Sequence, residues 1–261
     1  MEISMGLLIL AVGIIAGGYG TIVGAGGGFI FVPALLIVFH MDPVIAAGCG
    51  IVIVLINSLS GVTGYAKRNM IHYRTGIILS LGAFPGSLIG VRLLQLYSSS
   101  YFYVIFATVL VALGIFLFAK NSQFLFWKKK SESEGPSTTV DASRLTVGRL
   151  LPLGFFMGIL SSYLGIGGGW LLVPILIYLY KVPTHNATAT SIFSLALYST
   201  VGVVSQIYYS SIDWTTVLWG GIGVIIGSQV GVALSQRIPG KMIIQMLSIL
   251  LMVIGIRMYF N

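Results

Sequence analysis

The stretch Gly24-Ala25-Gly26-Gly27-Gly28-Phe29-Ile30-Phe31-Val32-Pro33 returns, little altered, as Gly165-Ile166-Gly167-Gly168-Gly169-Trp170-Leu171-Leu172-Val173-Pro174, 141 positions further along. Each copy interrupts a long apolar run. Consecutive glycines weaken a helix and free the backbone for conformations closed to other residues. A matched pair of interruptions at corresponding points of two apolar halves points to a binding site between repeats inside a membrane.

The runs on either side of the breaks set the fold class. The chain is 57% hydrophobic and 8% charged, and its apolar stretches approach the ~20 residues that span a bilayer core as helix. They do not alternate apolar with polar residues as barrel strands do. Backbone groups in lipid must be paired within the segment. The expectation is therefore an all-α polytopic membrane protein embedded in the lipid bilayer. The net charge of +8 resides in loops, where bases orient a chain in the membrane, so no nucleic-acid partner is implied. Cys49 is the only cysteine; it excludes an intrachain disulfide and reads as a small packing residue. No Lys or Arg precedes Lys67, so the first apolar run lacks the basic start of a signal peptide and is expected to be retained.

The 141-residue register extends beyond the motif. Gly13, Gly17, Gly61, Gly82, Gly86, Gly90 and Gly114 recur as Gly154, Gly158, Gly202, Gly223, Gly227, Gly231 and Gly255, and Ile71-His72-Tyr73 as Ile212-Asp213-Trp214. The domain reading is a first membrane repeat over 1–119, a flexible linker over 120–146 rich in Ser, Glu and Lys, and a second repeat over 147–261. Each repeat holds five apolar segments: 5–23, 29–39, 44–65, 75–96 and 101–119, then 147–164, 170–180, 187–209, 215–236 and 241–260. The second of each set is too short to cross alone at about 1.5 Å per residue. Segments one and two are expected to form a re-entrant hairpin or two unequal helices folded at the glycines.

Lys67, Arg68 and Arg74 follow the third segment, whereas the equivalent loop Tyr208–Asp213 has no base. The linker carries Lys120, Lys128, Lys129, Lys130 and Arg144. Basic loops stay cytoplasmic, which predicts a cytoplasmic linker, both termini outside, and two repeats of inverted topology in a cell membrane.

A helix starting just after the glycines aims unpaired N–H groups and the positive end of its dipole at the break, and such an end favours an anion. Gly26, Gly27, Gly28, Gly167, Gly168 and Gly169 are thus candidate substrate-binding residues. In the second copy Asn186-Ala187-Thr188-Ala189-Thr190-Ser191 places an amide and three hydroxyls at a helix start, where they can cap N–H groups or donate to an oxyanion. Asn186, Thr188, Thr190 and Ser191 join the candidates. The first copy has Ala46-Ala47-Gly48-Cys49-Gly50 there, and Asn57, Ser58, Ser60 and Thr63 on the same helix are the expected compensation.

The carboxylates Glu2, Asp42, Glu132, Glu134, Asp141 and Asp213 fall at loops or segment ends, which argues against a proton relay or cation site built on intramembrane acids. No P-loop, catalytic constellation or metal set emerges, so neither enzyme nor cofactor is implied. Two copies of G-x-G-G-G-x-x-x-x-P, Ala189-Thr190-Ser191 and the Gly202…Ile212-Asp213-Trp214 pattern resemble the TauE/SafE sulfite exporter family, also described as the toluene-sulfonate uptake permease group. The resemblance implies a secondary transporter exporting sulfite or organosulfonates by alternating access. The residues alone indicate a small anionic substrate; an anion channel or a non-transporting membrane scaffold stays open, as does a homodimer.

Overall fold

The computed structural model describes residues 3–96, 101–127, 146–209 and 212–259. They form ten helices and, among the described residues, no strand: α1 (Ile3–Val23), α2 (Gly28–Ile37), α3 (Pro43–Ala66), α4 (Tyr73–Leu96), α5 (Tyr101–Trp127), α6 (Val147–Leu164), α7 (Gly169–Tyr178), α8 (Thr184–Tyr208), α9 (Trp214–Ser235) and α10 (Gly240–Tyr259). Seven are long and apolar enough to cross a membrane. The linker expected over 120–146 is described only at its edges, because α5 continues past residue 119 to Trp127 and 128–145 lie outside the described residues.

Local chemistry accounts for the helix starts. Asp42 accepts from Val44 N–H at 2.8 Å ahead of Pro43, and a proline in the first turn loses only an N–H that has no helical partner. Asp213 accepts from Thr215 N–H at 3.1 Å and from the Thr216 hydroxyl at 2.7 Å. Both acids are thus helix caps. Helix α8 starts at Thr184 after Pro183, earlier than the expected 187, so Asn186 and Thr188 lie inside its first turns.

Equivalent helices pair crosswise. Helix α1 lies along α9, and its counterpart α6 lies along α4. A methyl group at Gly13 would fall 2.6 Å from the Gly220 carbonyl oxygen, and one at Gly17 2.6 Å from Val224 Cα. Gly82, Gly86 and Gly90 meet the carbonyls of Leu151, Phe155 and Ile159 in turn. Residue numbers rise together in both pairs, so each pair is parallel, and the small residues allow the close approach that holds apolar helices together. By the same contacts α3 runs parallel to α9 (Ser60 with Ser228, Gly64 with Val232) and α4 parallel to α8 (Gly76 with Phe193, Ser87 with Gly202). Helices α3 and α8 are antiparallel to each other, Gly61 meeting Ile192 and Gly202 meeting Ile51. So are α5 and α10, Gly114 lying at Met252 and Gly255 at Val111.

The short helices double back. Gly28 packs at Val54 and Val32 at Gly50, so α2 returns antiparallel to α3; Gly169 packs at Leu195 and Val173 near Thr188, so α7 returns along α8. Of the two forms expected for segments one and two, these are unequal helices folded at the glycines, 21 residues against 10 in the first repeat and 18 against 10 in the second.

Candidate functional site

The glycine tips meet at the centre of the protein. Residues 21–29 and 161–170 are buried throughout. A methyl group at Gly26 would lie 3.0 Å from Leu195 Cδ1 and 3.1 Å from Val54 Cγ1; one at Gly167 would lie 3.0 Å from Val54 Cγ1 and 3.1 Å from Leu195 Cδ2. Both tips therefore sit level with Val54 and Leu195, near the midpoints of α3 and α8. They also touch each other: Gly28 packs on Ile166, and the Cα of Gly169 faces the Gly24 carbonyl with no room for a side chain.

The tip backbone requires glycine at several points. Gly24, Gly26 and Gly27 have φ of 82, 81 and 76°, and Gly165 and Gly167 have 67 and 75°, a region that costs other residues roughly 1–2 kcal/mol. The copies then diverge: Gly27, before α2, is left-handed, whereas Gly168, before α7, has φ −88°. The N–H groups of Ala25 and Gly26 both donate to the Gly20 carbonyl, closing the first tip on α1. In the second, Gly168 N–H donates to the Tyr198 hydroxyl at 2.9 Å. The N–H groups of Gly28, Phe29, Gly169 and Trp170 open their helices, where no intrahelical acceptor exists.

The hydroxyl and amide candidates separate by place. Ser191 donates to the Gly24 carbonyl at 2.8 Å, tying α8 to the first tip. Gly50 holds the equivalent position and packs directly on the Gly165 carbonyl, so the first copy replaces a side-chain bond with backbone contact. Thr188 is buried against Gly24 with its hydroxyl unpartnered. Asn57 is fully buried; its Oδ1 accepts from the Thr21 hydroxyl at 3.3 Å, and its Nδ2 has no partner. These three stand by the tips. Thr190 and Asn186 do not: Thr190 Oγ1 accepts from His72 N–H at 3.0 Å, and Asn186 Nδ2 donates to the Met70 carbonyl at 3.1 Å, so both hold the loop before α4. Cys49, the counterpart of Thr190, accepts from Asp213 N–H at 3.3 Å and holds the loop before α9 in the same way.

Ser58, already a candidate, has its hydroxyl by Gly26, and one further residue, Tyr198, belongs to this centre. Tyr198 is the counterpart of Asn57 in the repeat register, and that register is the sequence signal that points to it. Ser58 and Ser199 are also counterparts, each fully buried with an unpartnered hydroxyl. A buried polar group without a partner is costly, and here several of them surround two helix starts. Such a set can donate to an anion and offers no acid to hold a cation. Among the described residues no three of His, Cys, Asp and Glu assemble as metal ligands.

Comparison with known proteins finds membrane transporters. The chain is 28% identical to "Probable membrane transporter protein YunE" of Bacillus subtilis (strain 168) over 98% of its own length and 97% of the relative's. It is 29% identical to a probable membrane transporter protein of Methanocaldococcus jannaschii, covering 96% and 94%, and 25% identical to one from Xylella fastidiosa (strain Temecula1), covering 84% and 81%. No solved structure matches it. Residues 9–258 match the sulfite exporter TauE/SafE family, and with nearly the whole bundle inside that match the chain belongs to this family of membrane transporters.

Proposed function

We propose that the protein is a secondary transporter that exports small sulfur-containing oxyanions, sulfite or organosulfonates, by alternating access. The observation that carries the reading is the meeting of two glycine tips midway along α3 and α8, ringed by the unpartnered Asn57 Nδ2 and the hydroxyls of Ser58 and Thr188. The tips touch in this state and part to admit the anion, which is then held by N–H groups at the starts of α2 and α7 and by those side chains. Helix starts at a broken-helix midplane are where transporters hold anionic groups.

The antiparallel running of counterpart helices α3 and α8, and of α5 and α10, supports an inverted repeat in which one half rocks against the other. Complete burial of both tips suits the occluded state of a carrier better than an open channel. The basic end of α3, with Lys67 and Arg68, is cytoplasmic in this reading; the end of α8 at Tyr208 and both termini are outside.

Thermal stability of the purified protein across sulfite, sulfoacetate, taurine, sulfate, acetate and chloride, followed by counterflow in proteoliposomes with the anion that binds, tests this. Stabilisation by a sulfur oxyanion with saturable counterflow is expected. Counterflow by none of the panel overturns it.

A further inference from the structure

Beyond the tips, the face of α8 that begins at Tyr198 continues through Gly202 to Gln206, each one helical turn further on. Gln206 is fully buried, and neither atom of its amide has a partner. A methyl group at Gly202 would lie 3.1 Å from the Ser162 hydroxyl of α6 and 3.2 Å from the Ser87 hydroxyl of α4. Those two hydroxyls meet at 2.5 Å. A row of small and polar groups thus runs from the second tip toward the end of α8, walled by three helices. Near that end Arg92 and Tyr209 border a groove of about 750 Å³ between α4 and α8, lined by the adjoining face of α8 through Val201, Val204 and Ser205 and not by the row itself.

The counterpart face of α3 carries Asn57, Gly61 and Tyr65 at the same spacing. Thr21 of α1 spans this face: its hydroxyl donates to Asn57 Oδ1, and its carbonyl accepts from the Tyr65 hydroxyl at 2.8 Å. The rows differ at their far ends: Tyr65 closes this one with a hydrogen bond, where the α8 row has the unpartnered Gln206. Because α3 and α8 are antiparallel, the two rows leave the centre toward opposite surfaces. An apolar core has no use for an unpartnered carboxamide and costs stability by holding one; a route for a hydrated anion needs such groups.

We propose that the α8 face Tyr198–Gly202–Gln206, with Ser162 and Ser87, is the half-pathway between the central site and the surface at the C-terminal end of α8, and that the α3 face Asn57–Gly61–Tyr65 with Thr21 is the half-pathway to the opposite surface. The proposal rests on the transporter reading and adds the route to it. The rows alternate: when one is sealed by side-chain pairing, the other admits the substrate.

Cysteine accessibility tests this in a Cys49→Thr background, which removes the only thiol. Single cysteines at Gly202→Cys, Gln206→Cys, Gly61→Cys and Tyr65→Cys are treated with a charged, impermeant maleimide on intact cells and on inverted vesicles. Gly202→Cys and Gln206→Cys should react from outside only, and Gly61→Cys and Tyr65→Cys from inside only. Ile225→Cys, near the middle of α9 on its exposed apolar face, should react from neither. Gln206→Leu separates a route from mere packing: it removes an unpaired amide, so thermal stability should hold or rise while anion flux falls at least ten-fold. Labelling of both rows from one side, absence of labelling in either row, or unchanged flux in Gln206→Leu overturns the half-pathways. Sided labelling in a parent that moves no sulfur oxyanion would instead keep the routes and remove the substrate assignment.

Discussion

Replacing Ser191 with alanine should loosen the junction between α8 and the first tip. The Ser191 hydroxyl donates to the Gly24 carbonyl at 2.8 Å, and both groups are buried. Alanine keeps the packing volume and leaves the carbonyl without that donor. A buried acceptor stripped of its partner costs about 1–3 kcal/mol in soluble proteins, whereas interhelical bonds inside membranes average about 0.6 and reach about 1.7 kcal/mol. The upper part of the membrane range applies here, because Gly24 at φ 82° sits in a break rather than in a continuing helix. A loss of about 1–1.5 kcal/mol is expected, close to a ten-fold rise in the unfolding constant. Equilibrium unfolding in bicelles measures it. Thr200→Ala is the control, since that hydroxyl donates only to Ala196 O of its own helix, at 2.9 Å, and its loss should stay within about 0.5 kcal/mol. A Ser191→Ala effect no larger than the control would refute the claim that this bond couples the halves.

The tips should respond unequally to the same substitution. Gly27→Ala must place a side chain at φ 76°, whereas Gly168→Ala at φ −88° is limited by the Tyr198 hydroxyl, 2.7 Å from its methyl; in a Tyr198→Phe background, which removes that hydroxyl, Gly27→Ala should be the more destabilising by about 1–2 kcal/mol of backbone strain, and the reverse order would contradict the assigned backbone. Gly86→Val should abolish accumulation of folded protein, because any side chain there strikes the Phe155 carbonyl, while Gly148→Ala, with nothing within 4 Å of its methyl, should fold as well as the parent; detergent-solubilised yield and size-exclusion profiles distinguish them. Cys49→Thr should be tolerated, since threonine does the same work at position 190, and Cys49→Val should cost about 1 kcal/mol by removing the acceptor for Asp213 N–H; equal stability of the two variants would show that the contact at 3.3 Å contributes nothing.

Much of this architecture was legible because its causes are local or periodic. Ten apolar segments, two of them too short, and two glycine runs in one register are visible without any knowledge of tertiary contacts. The site was legible only in part, because a hydroxyl at a helix start does not declare its partner. Ser191 and Thr190 are neighbours in sequence, yet one bonds a carbonyl of the first tip and the other an N–H of the loop before α4. Those partners lie over a hundred residues away, and local sequence carries no signal for them. Tyr198 was obscured for a different reason. A tyrosine in an apolar helix reads as core, and only its alignment with Asn57 singles it out. Gln206 aligns with Tyr65 in the same way.

That last pair carries an argument about the transport cycle. If the halves were identical, neither row would be favoured and the resting protein would split evenly between its two open states. The duplication has left Tyr65 bonded to Thr21 O at 2.8 Å on the α3 row and an unpartnered Gln206 on the α8 row. One hydrogen bond between buried groups contributes about 1 kcal/mol, and a bias of that size corresponds to about a five-fold population ratio. Tyr65→Phe should remove the bias. In the single-cysteine proteins it should speed inside labelling at Gly61→Cys about three-fold, as that state rises from about one sixth to one half of the population, and slow outside labelling at Gln206→Cys to about 0.6 of its rate, since states are exchanged and not created. A general loosening of the fold would accelerate both sites together. That outcome would reduce the Tyr65 bond to ordinary packing and remove the basis for a biased resting state.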